Sequence, residues 1–277
     1  QEHKQFMPIL FILDPLEKLH PRWDSSLSLL REFNARGRQT WAADSSDIQF
    51  ESGNYFALAS PISSQSKNHF STSAKNRIPL RFFDLILIRK EPPFDVNYLY
   101  LTYLLEQVAH KIPVFNHPRG IRNANEKLAI LNFPKWIPKT LVTSSPDEIL
   151  AFQSRIRKNL VLKPLNRKGG EGIVLLKRKN KNATSLIRSL TRNSKIVILA
   201  QEFIEDKKLS GDKRILLLEG KVLTAFERRP RRGEFRSNLT LGGTSHPTEI
   251  TPREKQLIRE LKPYLLNEGL DFVGLDV

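Results

Sequence analysis

Eight consecutive apolar residues, Phe6 to Leu13, stand near the head of the chain, and Pro8 to Leu13 within them reads as a strand. A half-buried strand alternates in hydropathy with period two, so an unbroken run needs cover on both faces. The run is also far short of the ~20 residues of a membrane span. Lys4 precedes it, as in a secretory signal, but Asp14-Pro15 stands where a small-residue cleavage site would be. It is read as a buried first strand. Met7, the only methionine, is expected to be the natural start, with residues 1–6 an upstream extension.

Beyond Asp14-Pro15 the chain takes on the rhythm of an α/β protein. Asp24 or Ser25 can cap a helix whose Leu27, Leu30 and Phe33 share a face, and Gly37 stops it. Gln39 to Ala43 reads as the next strand, which makes a βαβ start. Ser60 to Pro79, rich in Ser, Asn and Lys, is expected to be a mobile loop. Phe82 to Ile88, apolar but for Asp84, is expected to be a further strand, Tyr98 to His110 a helix and Ile112 to Asn116 a short strand. The pattern changes after Pro118. Asn125 to Leu131 is expected to be a short helix, and Ile137 to Val142 an edge strand because Pro138 cannot donate to a ladder. Pro146 to Ile156 and Ala183 to Thr191 read as helices; Leu160 to Lys163, Ile173 to Lys177 and Ile196 to Phe203 read as strands. Arg214 to Leu218 and Lys221 to Glu227 form a hairpin about Gly220. Arg253 to Asn267 is an amphipathic helix and Phe272 to Val277 a final strand.

Composition narrows the chemistry. The 277 residues include no cysteine, which excludes disulfides, thiolate nucleophiles and cysteine-based zinc sites. The formal charge of +16 favours anionic partners without naming one. The chain has no GxxxxGK[ST] loop, no GxGxxG, no HExxH and no GxSxG. A mechanism must therefore work by positioning and charge. Two distant stretches suit that. Val161 to Gly172 and Gly211 to Arg214, the latter succeeded by Arg228 and by Gly233 to Asn238, each deliver Lys or Arg from an apolar run to a glycine-containing loop. Backbone N–H groups and fixed cations of this kind suit a polyphosphate.

Seven motifs occur in order: Leu13-Asp14-Pro15, Arg89 to Asp95, Asn125 to Leu128, Leu162 to Leu165, Gly211 to Arg214, Gly233 to Leu239 and Phe272 to Asp276. Together, from about Pro8 to Val277, they resemble the prokaryotic type of glutathione synthetase, of the ATP-grasp superfamily. The resemblance implies an α/β fold: a Rossmann-like N-terminal substrate domain (1–122), a small α+β central lid (123–204) and a larger C-terminal α+β ATP-grasp domain (205–277). It implies an ATP-dependent ligase that joins γ-glutamylcysteine to glycine through an acyl phosphate. It also implies magnesium or manganese, a homotetramer and a cytoplasmic setting without membrane attachment.

By the same resemblance, Lys127 and Lys163 hold the nucleotide phosphates under a loop that contains Gly169 and Gly170. Backbone groups around Gln201, Glu202, Phe203 and Ile204 meet the adenine. Arg214, Arg228, Arg236 and Asn238 act on the reacting carboxylate and the transferred phosphate, where forked guanidinium groups fit oxyanions. Asp276 is a metal ligand; the family's Glu and Asn ligands fall beyond Val277, so the chain is expected to be a truncated family sequence. The loop departs from the family pattern at Asn166 and Arg167. Another ATP-grasp carboxylate–amine ligase and an impaired nucleotide-binding relative stay open as alternatives. Arg228, Arg229, Arg231 and Arg232 also admit a nucleic-acid patch, which the resemblance does not favour.

Overall fold

The computed structural model describes residues 7–20, 24–66, 69–167, 170–204, 211–231 and 242–277. The apolar run near its head forms β1 (Ile9–Ile12), every residue of which is buried. It lies parallel between β2 (Thr40–Ala43) and β7 (Leu85–Ile88). Leu10 and Ile12 join one core with Tyr98, Leu101 and Leu105 of α2 (Val96–Glu106). Ile9, Phe11 and Leu13 join a second core with Leu27 and Leu30 of α1 (Ser25–Ala35). Both faces of the strand are thus covered, and each such side chain contributes ~1.5–3 kcal/mol by leaving water.

The Asp24 carboxylate accepts from the Ser26 N–H at 2.7 Å and caps α1. Asp24→Ala is expected to cost about 1 kcal/mol in urea denaturation; a midpoint equal to that of the parent chain would show that the cap contributes nothing.

The sheet order is β3 (Ile48–Glu51), β4 (Asn54–Ser66), β2, β1, β7 and β8 (Val114–Phe115), after which the chain enters the short helix α3 (Pro118–Asn123). The expected mobile loop over residues 60–79 is instead sheet. β4 continues to Ser66, and β5 (His69–Thr72) and β6 (Asn76–Pro79) both pair antiparallel with it. Ser63 and Ser64 are exposed. Ile62 is buried, and Phe70 and Ile78 are partly buried against the two cores, but these apolar residues are scattered among Ser, Asn and Lys; the composition misled for that reason. The helix expected over Asn125 to Leu131 is also absent. The Asn125 carboxamide accepts from the Lys127 and Leu128 N–H groups at 3.0 and 3.1 Å, and the chain then makes only a 3-10 turn (Ala129–Asn132). Those two bonds have the geometry of an N-cap, but the turn they open does not propagate beyond the 3-10 segment.

The chain divides into two compact units: residues 1–123 with Tyr264–Phe272, and Ala124–Pro263 with Val273–Val277. The second unit holds two sheets. One has the order β11 (Val174–Leu176), β10 (Leu160–Pro164), β12 (Ile198–Glu202), β9 (Thr140–Thr143). Its Leu160, Leu162, Leu176, Ile198 and Ala200 share a core with Ile149 and Phe152 of α4 (Pro146–Ile156) and Ile187 of α5 (Ala183–Leu190). The other has the order β15 (Thr244–Pro247), β14 (Lys221–Arg229), β13 (Asp212–Leu218), β16 (Phe272–Asp276). Glu219 and Gly220 turn the β13–β14 hairpin with φ of 50° and 66°. A Cβ at Gly220 would also stand 2.5 Å from Cγ of Lys262, so only glycine fits. Thr251 and Glu254 exchange side-chain-to-backbone bonds of 3.2 and 2.7 Å, a capping box that starts α6 (Pro252–Glu268). Among the described residues, no helix is long and apolar enough to cross a membrane.

Candidate functional site

The candidate site is built entirely from the second unit. Its first element is a row across three strands. Lys163 sits on β10 one diagonal step from Gln201 on β12, and Gln201 lies directly opposite Thr140 on β9. The Lys163 ammonium donates to Gln201 Oε1 at 2.8 Å. Gln201 Nε2 donates to Thr140 Oγ1 at 2.9 Å, and that hydroxyl donates to the Pro138 carbonyl at 2.7 Å. A neutral carboxamide therefore orients the lysine and leaves its charge uncancelled. Burial lowers the Lys163 pKa below the ordinary lysine value; Lys127 pushes the same way and Asp276 opposes. That electrostatic reach links the β10 sheet to β16.

Lys127 provides the second element. Its ammonium donates to the Arg167 carbonyl and pairs with Glu126, and its side chain is only 13% exposed. Asn125 Nδ2 donates to the Leu165 carbonyl at 3.2 Å. The Asn125–Lys127 turn thus holds the exit of β10, where the glycine loop begins. Arg167, the departure from the family pattern, pairs with Glu171 at 2.7 Å. The extra positive charge in the loop is balanced locally.

The third element is a quartet of two arginines and two aspartates. Asp212 and Arg228 are directly opposed on β13 and β14. The Arg228 Nε and one Nη donate to the two Asp212 oxygens, both at 2.7 Å. The same Nη lies 3.0 Å from Asp276. Arg214 grips Asp276 with two donors, one of them at 2.9 Å. The Arg228 side chain is 6% exposed. Burial works against its charge, but Asp212 and Asp276 outweigh burial and hold its pKa above the ordinary arginine value. Gly211 makes the close packing possible, since a Cβ there would stand 1.7 Å from the Arg228 carbonyl oxygen.

Of the residues singled out from the sequence, Lys127, Lys163, Gln201, Arg214, Arg228 and Asp276 are joined by these bonds and fields. Gly170, beyond the end of β10, has a φ of 81°. The Glu202 and Phe203 N–H groups donate to the Lys139 and Asn159 carbonyls, both at 2.9 Å. These two N–H groups are therefore engaged within the protein itself, and Ile204 beyond them is 58% exposed. Gly169, Arg236 and Asn238 lie outside the described residues, as does Arg232. Arg229 pairs with Glu227 at 2.9 Å, so the basic stretch is partly neutralised. Thr140, Asn125 and Asp212 had no role in the sequence reading. Asp212 and Arg214, two apart on a strand, signal a shared face, but only the hairpin register places Arg228 against Asp212.

A divalent cation finds one ligand in this set. Asp276 is half exposed, and among the described residues no cluster of three acidic or imidazole groups is assembled. Cations of the magnesium type take few protein ligands beside nucleotide phosphates, so a lone carboxylate fits such an ion as one ligand of several. In this structure the Asp276 carboxylate is engaged by Arg214 and Arg228.

The family description "Prokaryotic glutathione synthetase, N-terminal domain" matches residues 7–122, and "Prokaryotic glutathione synthetase, ATP-grasp domain" matches residues 126–277. The glutathione synthetase of Parasynechococcus marenigrum (strain WH8102) is 39% identical over 270 residues, covering 97% of this chain and 86% of the relative. That of Nitrosomonas europaea (strain ATCC 19718) is 38% identical, covering 98% and 86%. The crystal structure of the D-cycloserine synthetase DcsG superposes with a TM-score of 0.65 at 14% identity, over 97% of this chain and 86% of that one. The last likeness shows the fold alone. Matched along nearly its whole length by both domain descriptions, the chain belongs to the prokaryotic glutathione synthetase family.

Proposed function

We infer that this chain is an ATP-dependent carboxylate–amine ligase that makes glutathione from γ-glutamylcysteine and glycine. The reading is supported by one observation: in a chain 39% identical to a glutathione synthetase, Lys163 feels both Lys127 and Asp276, and Asp276 is paired with Arg214 and Arg228. ATP transfers its γ-phosphoryl group to a carboxylate oxygen of the cysteinyl residue; the bond to ADP breaks and an acyl phosphate forms. The glycine amine attacks the acyl carbon, a C–N bond forms, phosphate leaves and the nitrogen loses a proton.

This chemistry asks the protein for alignment and charge neutralisation more than for covalent help. In this reading Lys163 and Lys127 bind the nucleotide phosphates together with the loop that contains Gly169 and Gly170. Gln201 to Ile204 flank the base. Arg214, Arg228, Arg236 and Asn238 stabilise negative charge at the acyl group and the departing phosphate. The family's divalent cation, proposed as magnesium or manganese, is held by Asp276 and neutralises phosphate charge when bound. The proposal extends to a homotetramer, checked by light scattering, and to a cytoplasmic setting.

The deciding assay supplies purified protein with ATP, magnesium, γ-glutamylcysteine and glycine. ADP and glutathione are expected in equal amounts, with glutathione formed only when both amino-acid substrates are present. ADP release with a different acceptor amine, and none with glycine, would replace this reading with another ligase.

A further inference from the structure

The quartet of Asp212, Arg228, Asp276 and Arg214 is charge-balanced, but its two halves are built differently. Asp212 spends both oxygens on one guanidinium, that of Arg228, from the directly opposed position of the hairpin. Asp276 divides its oxygens between two guanidinium groups and is 48% exposed. Anything that draws Asp276 away therefore frees Arg214, while Arg228 keeps its bidentate partner.

We propose that Asp212 is a positioning residue, which fixes Arg228 beneath the transferred phosphoryl group while Asp276 and Arg214 exchange partners. Arg228 is the stationary cation of the site and Arg214 the transferable one. Asp212 also limits how tightly Arg228 holds a free anion, because its carboxylate already neutralises that charge. This inference rests on the reading that Arg228 faces the phosphoryl group. A guanidinium that loses its orientation costs far more in turnover than in ground-state binding, since a misplacement of about 1 Å can lower the rate ~100-fold.

The test compares the full chain with Asp212→Asn and Asp212→Glu. Asparagine keeps the size and one acceptor but removes the charge. Its kcat per folded molecule, normalised by circular dichroism, is expected to fall about 30- to 100-fold, with KM for ATP and for glycine little changed. Orthophosphate should bind the free Asn variant about threefold or more tighter in calorimetry, because the Asp212 charge no longer competes for Arg228. Asp212→Glu restores the charge and should recover most of the lost kcat. Loss of a merely structural residue would lower folding without tightening phosphate.

A kcat within threefold of the parent in Asp212→Asn overturns the proposal. So does unchanged phosphate affinity with Glu no better than Asn. The phosphate arm needs no turnover, so a parent chain that makes no glutathione sinks the proposed reaction while calorimetry still decides the role of Asp212.

Discussion

Lys163→Met is expected to lower kcat/KM for ATP by about 10²–10³-fold, the cost of removing one preorganised charge from a phosphate site. Methionine matches the length of the lysine stem and suits a buried strand position. The Lys163 cation is held by a carboxamide and not by a carboxylate, so its removal leaves no orphaned negative charge. Thermal stability should be unchanged or slightly higher, because a desolvated cation is gone. Burial lowers the Lys163 pKa, so the folded chain binds fewer protons at this site than the unfolded chain between the two pKa values. In that window stability rises with pH while affinity for ATP falls. KM for ATP measured against pH should therefore climb below the ordinary lysine value of 10.5. A Lys163→Met protein that uses ATP as well as its parent would remove this lysine from the site.

Arg228→Ala should do what Lys163→Met does not, and lower stability and turnover together. The substitution empties a buried position and leaves Asp212 without a partner beside Asp276. Only the arginine is buried; the Asp212 and Asp276 carboxylates left behind are 40% and 48% exposed, so the loss should fall below the ~3–5 kcal/mol of a fully buried pair. Turnover of the folded fraction should fall by about 10³-fold, as for other groups that stabilise charge in the transition state. Urea denaturation and active-site-normalised kinetics separate the two effects. A variant that keeps its midpoint would show that water, and not Asp212, neutralises Arg228.

The contrast between these lysine and arginine positions explains what the sequence could and could not reveal. β1 and α1 were legible because continuous apolar runs and an Asp-capped amphipathic stretch have few alternatives. Lys163 drew attention because a charged residue at the end of a buried strand needs a reason. The β4–β6 ribbon was not legible, since its pairing lives in backbone hydrogen bonds that Ser and Asn do not advertise. Gln201 was singled out for the base, yet its side chain orients Lys163 through a diagonal across β10 and β12. Asp212 stood in a motif without a role, because its meaning depends on a register that joins residues 16 apart in sequence. Local chemistry is written in composition; cross-strand chemistry waits for the pairing.

The return of Tyr264–Phe272 to the first unit has a practical side. The N-terminal family description ends at residue 122, but the amide of Asn116 is satisfied through both of its atoms by the backbone of Phe272, at 2.7 and 2.9 Å. His117 donates its N–H to the Gly269 carbonyl at 2.9 Å, and Gly120 leaves no room for a Cβ against the Glu268 carbonyl. A gene fragment cut at the homology boundary would lose the polypeptide that closes its own C-terminal end. Shuffling of modules within this family is therefore constrained to carry that distant nine-residue piece along.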